Sequence, residues 1–447
     1  MESHNPPVPH LTTALTGPLY EIESLLLSRQ PQIESWLRSE WRKTPAPFYT
    51  SVDLRNAGFK LAPVDTNLFP AGFNNLNPAF LPLSVQAIQN AIERICPTAC
   101  NILIIPENHT RNLFYLESLA TLQRILIQAG FLARIGSLME TLHKTEILTL
   151  PSGATITLEP VRRDDDQLYL ENNLPDQRFI PCVVLMNNDL SDGVPELLKE
   201  VQQSIIPPLE LGWERRRKSD HFLHYNQLAH EFSEQLEIDP WLIDPMFEKC
   251  GAIDFKNREG EECLAAHVEH LLGEIQKKYD QYGVDRSPFV LVKADAGTYG
   301  MGIMTIHNAS QIHELNRKQR NKMAKSKGGQ SVTDVIIQEG VYTFETLGKD
   351  EAVAEPVVYM MDHHVIGGFY RVHTARGPNE NLNAPGMHFE PLAFANPLNL
   401  PDQSRDPDAE PNRFYAYGVI ARLAMLAAAR EIHEVIGERN IGEPDNG

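Results

Sequence analysis

Short apolar runs bounded by turn-forming residues recur along the chain and predict β-strands. These runs lie at residues 48–55, 59–67, 101–106, 131–135, 181–186, 288–293, 303–306, 332–338, 354–361 and 365–372. Stretches with helical spacing of apolar residues predict helices at residues 19–41, 83–95, 112–130, 195–204, 309–327 and 414–435, and a helical region at 226–281. The mixture predicts an α/β fold with α+β elements, in which antiparallel hairpins accompany a parallel sheet.

Residues 101–135 have the pattern of a βαβ unit, with a buried strand, a helix and a second strand. This unit predicts the start of a Rossmann-like domain built on a parallel sheet. Glu107 and His109 follow the carboxyl end of its first strand, where folds of this type bind ligands. Both residues are therefore candidate substrate contacts.

A glycine-rich loop joins the two predicted strands on either side of residues 294–302. It carries Gly297, Tyr299, Gly300 and Gly302, and Lys293 ends the strand before it. Glycines allow backbone N–H groups to point at a phosphate chain, and a lysine supplies a positive charge for the same phosphates. The loop is neither a P-loop nor a dinucleotide fingerprint, because no Gly-Lys-Ser/Thr follows and no helix starts after it. An ordinary glycine hairpin with a chance lysine is the alternative.

The elements after this loop follow one another in a recognisable order. A helix comes first, then a strand ending at Glu339, a hairpin ending at Arg371, and the loop Asn381-Leu-Asn-Ala-Pro-Gly386. This succession resembles the ATP-grasp ligases and, within them, the bacterial glutathione synthetases. The whole chain is similar to the proteobacterial type of glutamate–cysteine ligase.

The resemblance implies that the protein uses ATP and Mg²⁺ and supplies roles for individual residues. Nucleotide contacts are expected from Lys218, Lys293, Gly297, Tyr299, Gly300, Gly302 and Glu339. Arg371 and Lys293 are expected to be catalytic, with the arginine facing the charge that develops on a transferring phosphoryl group. Asn381 and Asn383 are expected to bind substrate. The alternatives are a solvated helix start for Lys218 and a plain strand-end carboxylate for Glu339.

The expected metal ligands depart from the pattern of similar ligases. Those enzymes hold two Mg²⁺ ions with an Asp and a Glu-x-Asn on strands after the Asn-Leu loop, but no such strands follow the helix at 414–435. The hairpin near the N-terminus instead offers Asp53, Asp65 and Asn67 in the order Asp … Asp-x-Asn. We therefore expect a circularly permuted ATP-grasp chain in which these residues bind Mg²⁺ and the hairpin pairs into the sheet that carries Arg371.

An alternative for this hairpin is a part of the substrate domain whose Asp and Asn residues bind an amino acid. Arg55 and Lys60 lie on the same hairpin and could pair with the carboxylates of the amino-acid substrate, or remain as solvated charges. The permuted arrangement predicts four segments. They are the permuted part of the core (1–98), a Rossmann-like substrate domain (99–225), a lid subdomain (226–340), and the ATP-grasp core with the catalytic hairpin and C-terminal helix (341–447).

Charge and cysteine content narrow the class of protein. The 59 Asp and Glu residues outnumber 40 Lys and Arg residues, and a net charge of -19 disfavours nucleic acid and anionic membranes as partners. The first residues lack a signal-peptide pattern, and no apolar run is long enough to span a bilayer. Cys96-x-x-x-Cys100 has no second pair to complete a zinc site, and His363-His364 is interpreted as a hairpin turn. We expect a cytoplasmic protein with five reduced thiols; the sequence does not specify an oligomeric state.

The resemblance implies an ATP-dependent ligase that joins the γ-carboxyl group of glutamate to the amine of cysteine through an acyl phosphate. The residues themselves indicate only ATP, Mg²⁺ and an anionic substrate. Two alternatives remain: another ligase of the group, such as a glutathione synthetase, and a non-catalytic nucleotide-binding regulator without a working metal cluster. Placement of Asp53, Asp65 and Asn67 near the glycine loop would favour an enzyme.

Overall fold

In the computed structural model of the protein, the described residues are 25–108, 112–172, 177–297, 302–324, 331–347, 351–391 and 414–442. His109, Tyr299 and Gly300, for which ligand contacts are expected, lie outside these ranges.

The described part of the chain is a mixture of helices and strands, as the sequence predicts. The helices are α1 (Gln30–Lys43), α2 (Leu81–Ile95), α3 (Leu113–Gln128), α4 (Lys218–Leu236), α5 (Glu261–Tyr282), α6 (Ser310–His313), α7 (Arg317–Met323) and α8 (Phe414–Gly442). The strands up to residue 206 are β1 (Tyr49–Asn56), β2 (Leu61–Asn67), β3 (Asn101–Pro106), β4 (Leu132–Ser137), β5 (Glu146–Thr149), β6 (Thr155–Pro160), β7 (Arg162–Asp164), β8 (Gln167–Glu171), β9 (Arg178–Phe179), β10 (Val183–Asn187) and β11 (Ser204–Ile206). Those that follow are β12 (Phe247–Cys250), β13 (Val290–Ala294), β14 (Ile303–Ile306), β15 (Val335–Glu339), β16 (Thr346–Leu347), β17 (Ala352–Met361), β18 (His364–His373) and β19 (His388–Pro391).

The central sheet unites two distant parts of the chain. Its strand order is β19-β18-β17-β1-β2, all neighbours are antiparallel, and β16 also pairs with β17. The expected pairing of the N-terminal hairpin with the sheet that carries Arg371 is therefore confirmed. Asp53 lies opposite Val357 on β17, and Glu355 on β17 lies opposite Arg371 on β18.

A second sheet has the order β11-β10-β3-β4-β6-β5, in which every pair is parallel except β5 with β6. Successive side chains of β3 point to opposite faces, and both faces are covered. Ile102 and Ile104 pack in the core formed with α2 and α3, whereas Leu103 and Ile105 pack with residues of β8 and β10. Burial on both faces explains why this strand is apolar throughout.

The glycine loop belongs to a smaller antiparallel sheet with the order β12-β15-β13-β14. The predicted hairpin is confirmed, because β13 pairs with β14 and Lys293 lies opposite Ile303. The region 226–281, predicted to be helical, instead contains β12 between α4 and α5. Strand β12 has only four residues and carries Glu248 and Lys249 at its centre, so it does not stand out as an apolar run.

Two predicted helices are wrong in detail. Residues 195–204 form a 3-10 turn at Glu196–Leu198 and the start of β11, and Glu200 has a φ of 53°, which stops a helix. The predicted helix at 309–327 is divided into α6 and α7. Asn316 starts α7 by accepting a hydrogen bond from the Gln319 backbone N–H, so its side chain acts as a cap.

Residues 415–429 of helix α8 are buried on every side, and the helix contacts α4 and strands β1, β2 and β17. Its small alanine side chains permit this close approach. Two ion pairs hold α8 against neighbouring segments. Arg216, just before α4, donates to Glu431 at 2.7 Å, and Arg422 donates to Glu34 of α1 at 2.7 Å. Among the described residues, none of the helices has the length and hydrophobicity needed to cross a membrane.

Candidate active site

A narrow, polar cavity of about 80 Å³ lies between the central sheet and the sheet that carries the glycine loop. Its wall collects residues from β1, β2, β13, β17 and β18 and from the start of α4. They are Asp53, Arg55, Val64, Asp65, Lys218, Leu291, Lys293, Ala294, Gly297, Ile303, Glu355, Arg371, Asn381 and Asn383. Most of the site residues predicted from the sequence are thus brought together.

Two lysines line this cavity, and hydrogen bonds within the protein hold both side chains in place. Lys293 Nζ donates to the carbonyl of Val64 at 2.9 Å and to Gln338 Oε1 at 2.6 Å. Lys218 Nζ donates to Asp65 Oδ1 at 2.7 Å and lies 4.2 Å from the centre of the Trp213 ring. Lys218 is the first residue of α4, so the helix start fixes the position of this amine.

The close charges shift the pKa values of these groups. Burial lowers the pKa of Lys293 to about 8, although Asp65 opposes the shift. Burial alone would raise the pKa of Asp65, but the Lys218 and Lys293 charges hold it at about 2. Burial raises the pKa of Asp53, and the nearby Glu355 carboxylate adds to this effect, although Arg371 opposes it.

Arg371 lies between two carboxylates from neighbouring strands. Its Nη1 donates to Glu355 Oε1 at 2.5 Å and to Asp53 Oδ2 at 3.0 Å. Its buried Nε–H has no acceptor among the described residues. A buried N–H without a partner is costly, so this donor is available for a ligand oxygen.

Arg55 also lines the cavity, but other parts of the protein use its donors. Its Nε donates to Glu355 at 3.1 Å, Nη1 to the carbonyl of Val341 at 3.2 Å, and Nη2 to the carbonyl of Glu380 at 2.5 Å. The arginine therefore holds the loop at 378–383 against β1. That loop presents Asn381 and Asn383, where Asn381 Oδ1 accepts from the Asn383 backbone N–H at 2.9 Å.

A second cavity of about 660 Å³ adjoins the first and shares Asp53, Asp65, Arg371 and Asn383 with it. The rest of its wall is partly aromatic and partly amide, and it includes Asn67, Phe69, Asn74, Asn75, Asn112, Tyr115, Asp189, Trp213, Tyr359, Phe369 and Phe389. This volume is in the range of small-molecule sites. Asn67 Oδ1 accepts from the Phe69 backbone N–H at 2.9 Å, which shapes the turn after β2.

Lys60 and Glu339, for which direct ligand contacts are expected, line neither cavity. They form a buried ion pair, with Lys60 Nζ 2.7 Å from Glu339 Oε2 and side chains 0% and 1% exposed. Glu339 also accepts from Trp241 Nε1 and from the Met246 backbone N–H, each at 3.1 Å. Glu339 ends β15 and forms a buried internal pair with Lys60; its expected contact with the nucleotide stays a prediction.

Some residues of the cavity walls were missed in the sequence, and Glu355 is the clearest. Glu355 lies within the predicted apolar strand 354–361, where a single acidic residue is itself a sign of a functional role. A register shift between Tyr359 and Met360 sets it opposite Arg371. Glu107 supports the wall of the larger cavity from outside it. Its Oε1 accepts from the backbone N–H of Asp189, a residue of that wall, at 3.0 Å.

Groups of three His, Cys, Asp or Glu ligand atoms within 4.8 Å of one another occur elsewhere in the described part of the chain. One is formed by Cys250, Cys263 and His267, and the other by Asp362, His363 and His364. The carboxylates of the polar cavity are not so close, so a metal held there would need further oxygen ligands.

The model of the glutamate-cysteine ligase family matches residues 23–432. A solved structure from Methylobacillus flagellatus, assigned as a gamma-glutamylcysteine synthetase, is 60% identical to the chain with a TM-score of 0.87. That similarity covers 96% of this chain and 99% of the other. A search of curated proteins gave no significant match.

Two more distant structures are each 10% identical to the chain. One is a glutathione synthetase-like effector from Globodera pallida, with a TM-score of 0.35 over 79% of this chain and 78% of the other. The other is D-alanyl-alanine synthetase A from Vibrio cholerae, with a TM-score of 0.33 over 73% of this chain and 81% of the other. Neither similarity is high enough to carry an argument.

The placement of Lys60 and Glu339 predicts that they act on stability. Lys60→Met leaves the Glu339 carboxylate buried without its counter-ion, and should lower the free energy of unfolding by about 3–5 kcal/mol in urea titrations. Adding Glu339→Gln should recover part of this loss. The control Lys199→Met removes an exposed pair with Glu196 and should change little. A Lys60→Met protein as stable as the wild type would contradict this assignment.

Proposed function

The chain belongs to the glutamate–cysteine ligase family, and we propose that it joins the γ-carboxyl group of L-glutamate to the amine of L-cysteine in the two adjoining cavities. As a member of this family it is an ATP-dependent ligase that forms a C–N bond. One observation carries the proposal for the site. Lys218, Lys293 and Arg371 share a narrow polar cavity with Asp53 and Asp65, and that cavity adjoins a larger one.

We propose an ATP-grasp-like core in a circularly permuted chain. What supports this is that β1 and β2 pair beside β17 and β18, although most of the chain separates them in sequence. The parallel sheet formed by β3, β4, β6, β10 and β11 supports a Rossmann-like domain for residues 99–225. In this proposal residues 1–98 complete the core, 226–340 form the lid subdomain, and 341–447 supply the catalytic hairpin and C-terminal helix.

The phosphates of ATP are proposed to lie in the narrow cavity. Lys293 uses two of its three ammonium donors inside the protein, which leaves one for a phosphate oxygen. Lys218 adds a second positive charge, and Gly297 and Gly302, with φ values of 101° and 67°, bring the loop backbone close without side chains. The family resemblance adds Tyr299 and Gly300 to this loop.

The donor set at the junction of the cavities fits Mg²⁺. Asp53 and Asp65 line both cavities, and Mg²⁺ is usually held by one or two carboxylates together with substrate phosphates. Asn67 could add its amide oxygen, which retains a second lone pair beside its bond to Phe69. When bound, the metal would neutralise charge on the phosphates.

The reaction is proposed to proceed by way of an acyl phosphate. A γ-carboxylate oxygen of glutamate attacks the γ-phosphorus of ATP, and the bond to the ADP oxygen breaks. The cysteine nitrogen then attacks the acyl carbon, loses a proton, and phosphate leaves. Arg371 lies at the junction of the cavities, and its Nε–H, which has no acceptor in the described parts of the chain, can bind an oxygen on which charge develops.

We propose that Arg55 is a positioning residue and that Asn381 and Asn383 contact the substrate. Arg55 orients the loop at 378–383, because its donors are occupied by Glu355 and by backbone carbonyls. Asn383 lines both cavities, where its amide could bind the substrate carboxylate as it approaches the phosphates. The larger cavity would hold the two amino acids.

The lowered pKa of Lys293 predicts a pH dependence of ATP binding. In the free enzyme its ammonium loses the proton as the pH rises through about 8, whereas bound phosphates stabilise the charged form and raise the pKa. The affinity for ATP should therefore be highest below pH 8, where Lys293 is charged, and should fall about tenfold between pH 7 and pH 9. Calorimetric titration with a non-hydrolysable ATP analogue measures this change.

Lys293→Met should weaken nucleotide binding at pH 7, remove the pH dependence, and slow ADP formation by about 10²–10³-fold. The exposed Lys256→Met is the control and should keep both the affinity and its slope. If the slope persists in Lys293→Met, another group titrates.

The proposed metal ligands predict an altered Mg²⁺ requirement. Asp53→Asn and Asp65→Asn should each raise the Mg²⁺ concentration for half-maximal ADP formation at least about tenfold, since removal of even an outer partner of a metal has such an effect. Asp285→Asn changes an exposed acid and should leave the Mg²⁺ curve in place. A variant whose curve matches the wild type does not hold the metal.

The substrate assignment predicts the outcome of an amino-acid panel. Glutamate and cysteine together should give the fastest ADP release of all pairs tested, measured by a coupled assay at saturating ATP and Mg²⁺. Preference for γ-glutamylcysteine with glycine would instead indicate a glutathione synthetase. No ADP release with any pair would favour a nucleotide-binding regulator.

A further inference from the structure

A cluster of sulfur and imidazole ligands lies on the sheet that carries the glycine loop, outside both cavities. Cys250 ends β12, and Cys263 and His267 lie near the start of α5. The two sulfur atoms are 3.5 Å apart, and a ring nitrogen of His267 lies within 4.8 Å of both. The twelve residues between the cysteines hide this proximity in the sequence.

The arrangement of these side chains follows from the two elements that carry them. Cys263 and His267 are four residues apart on a helix, a spacing that puts both on one face. Two ligands at this spacing are a recurrent way for a helix to hold zinc. Strand β12 then brings Cys250 against that face as the third member.

The distances suit a thiophilic cation better than a hard one. Two sulfurs bound to zinc at about 2.3 Å in tetrahedral geometry lie about 3.8 Å apart, close to the separation found here. Mg²⁺ prefers oxygen ligands and would not select two thiols.

An acidic side chain completes the surroundings of the histidine. Glu248, on the same strand as Cys250, accepts from Nδ1 of His267 and lies 2.5 Å from Nδ1 of His270. A carboxylate on one ring nitrogen fixes the imidazole and leaves the other nitrogen for a metal, which is the usual outer shell of a zinc histidine.

We propose that Cys250, Cys263 and His267 bind one thiophilic divalent cation, of which Zn²⁺ is the type, with solvent in the fourth position. Binding releases the two thiol protons to solvent, because thiolates are the ligands. The exposed Cys263 gives the ion and its water ligand access from solvent.

The cation would tie β12 to α5. Because β12 pairs with β15, and β15 pairs with the Lys293 strand, the site would brace the small sheet from its far edge. This role is independent of the ligase reaction and is tested without it.

The test uses the full chain, reduced with a phosphine, stripped of metal with a chelator and titrated with Co²⁺. One equivalent should produce an intense thiolate-to-cobalt absorption band, and Zn²⁺ should displace it. Cys263→Ser and His267→Ala should abolish the band, and Glu248→Gln should weaken Co²⁺ affinity about 10- to 100-fold. Cys100→Ser, which changes an exposed cysteine elsewhere, and His363→Ala, in the other cluster, should behave as wild type.

Cys263 is exposed, so its substitution by serine should leave the fold intact, as circular dichroism can verify. Absence of a thiolate band in the wild type, or an equal band in Cys263→Ser, would overturn the proposal. A reduced protein that binds no Co²⁺ but loses two thiols on exposure to oxygen would also overturn it, in favour of a disulfide between the two cysteines.

Discussion

The pairing of β1 with β17 is the constraint on which the rest of the site depends. It sets Asp53 beside Glu355 and Arg371. Through β2 it brings Asp65 to Lys218 at the start of α4 and to Lys293 on β13. Buried charges are tolerated only when opposite charges and hydrogen bonds compensate them. Here carboxylates and cations alternate, so the cluster is stable without a ligand and still leaves donors for one.

The same rule separates the charges that meet a ligand from those that only support the walls. Arg371 retains a buried donor without a partner in the described part of the chain, whereas Arg55 spends its donors on Glu355 and on backbone carbonyls. Lys60 and Glu339 pair with one another, use their other hydrogen bonds within the protein, and line neither cavity. Arg371 and Arg55 are the same residue type, and their remaining hydrogen-bonding capacity makes the difference.

The sequence predicted the hairpins, the parallel strands and most of the polar cavity, because these depend on local apolar patterns and on motif order. It did not reveal the ion pair between Lys60 and Glu339, since nothing local shows that two charges far apart in the chain will bury one another. It also missed β12 and the break between α6 and α7. The polar strand β12 forms because it pairs with β15, and its own sequence does not show that partner. The side chain of Asn316 caps a new helix and so interrupts a continuous helical pattern.

The distance along the chain between the paired strands has a consequence for synthesis. Asp53 and Arg371 are 318 residues apart, so the ribosome completes most of the protein before the central sheet can close. Until β17 emerges, β1 presents an unpaired edge, and such edges recruit other strands. Contacts of this separation also form slowly. The nascent chain should therefore need protection during translation, and its yield in cells should depend on chaperones more than the stability of the finished enzyme would suggest.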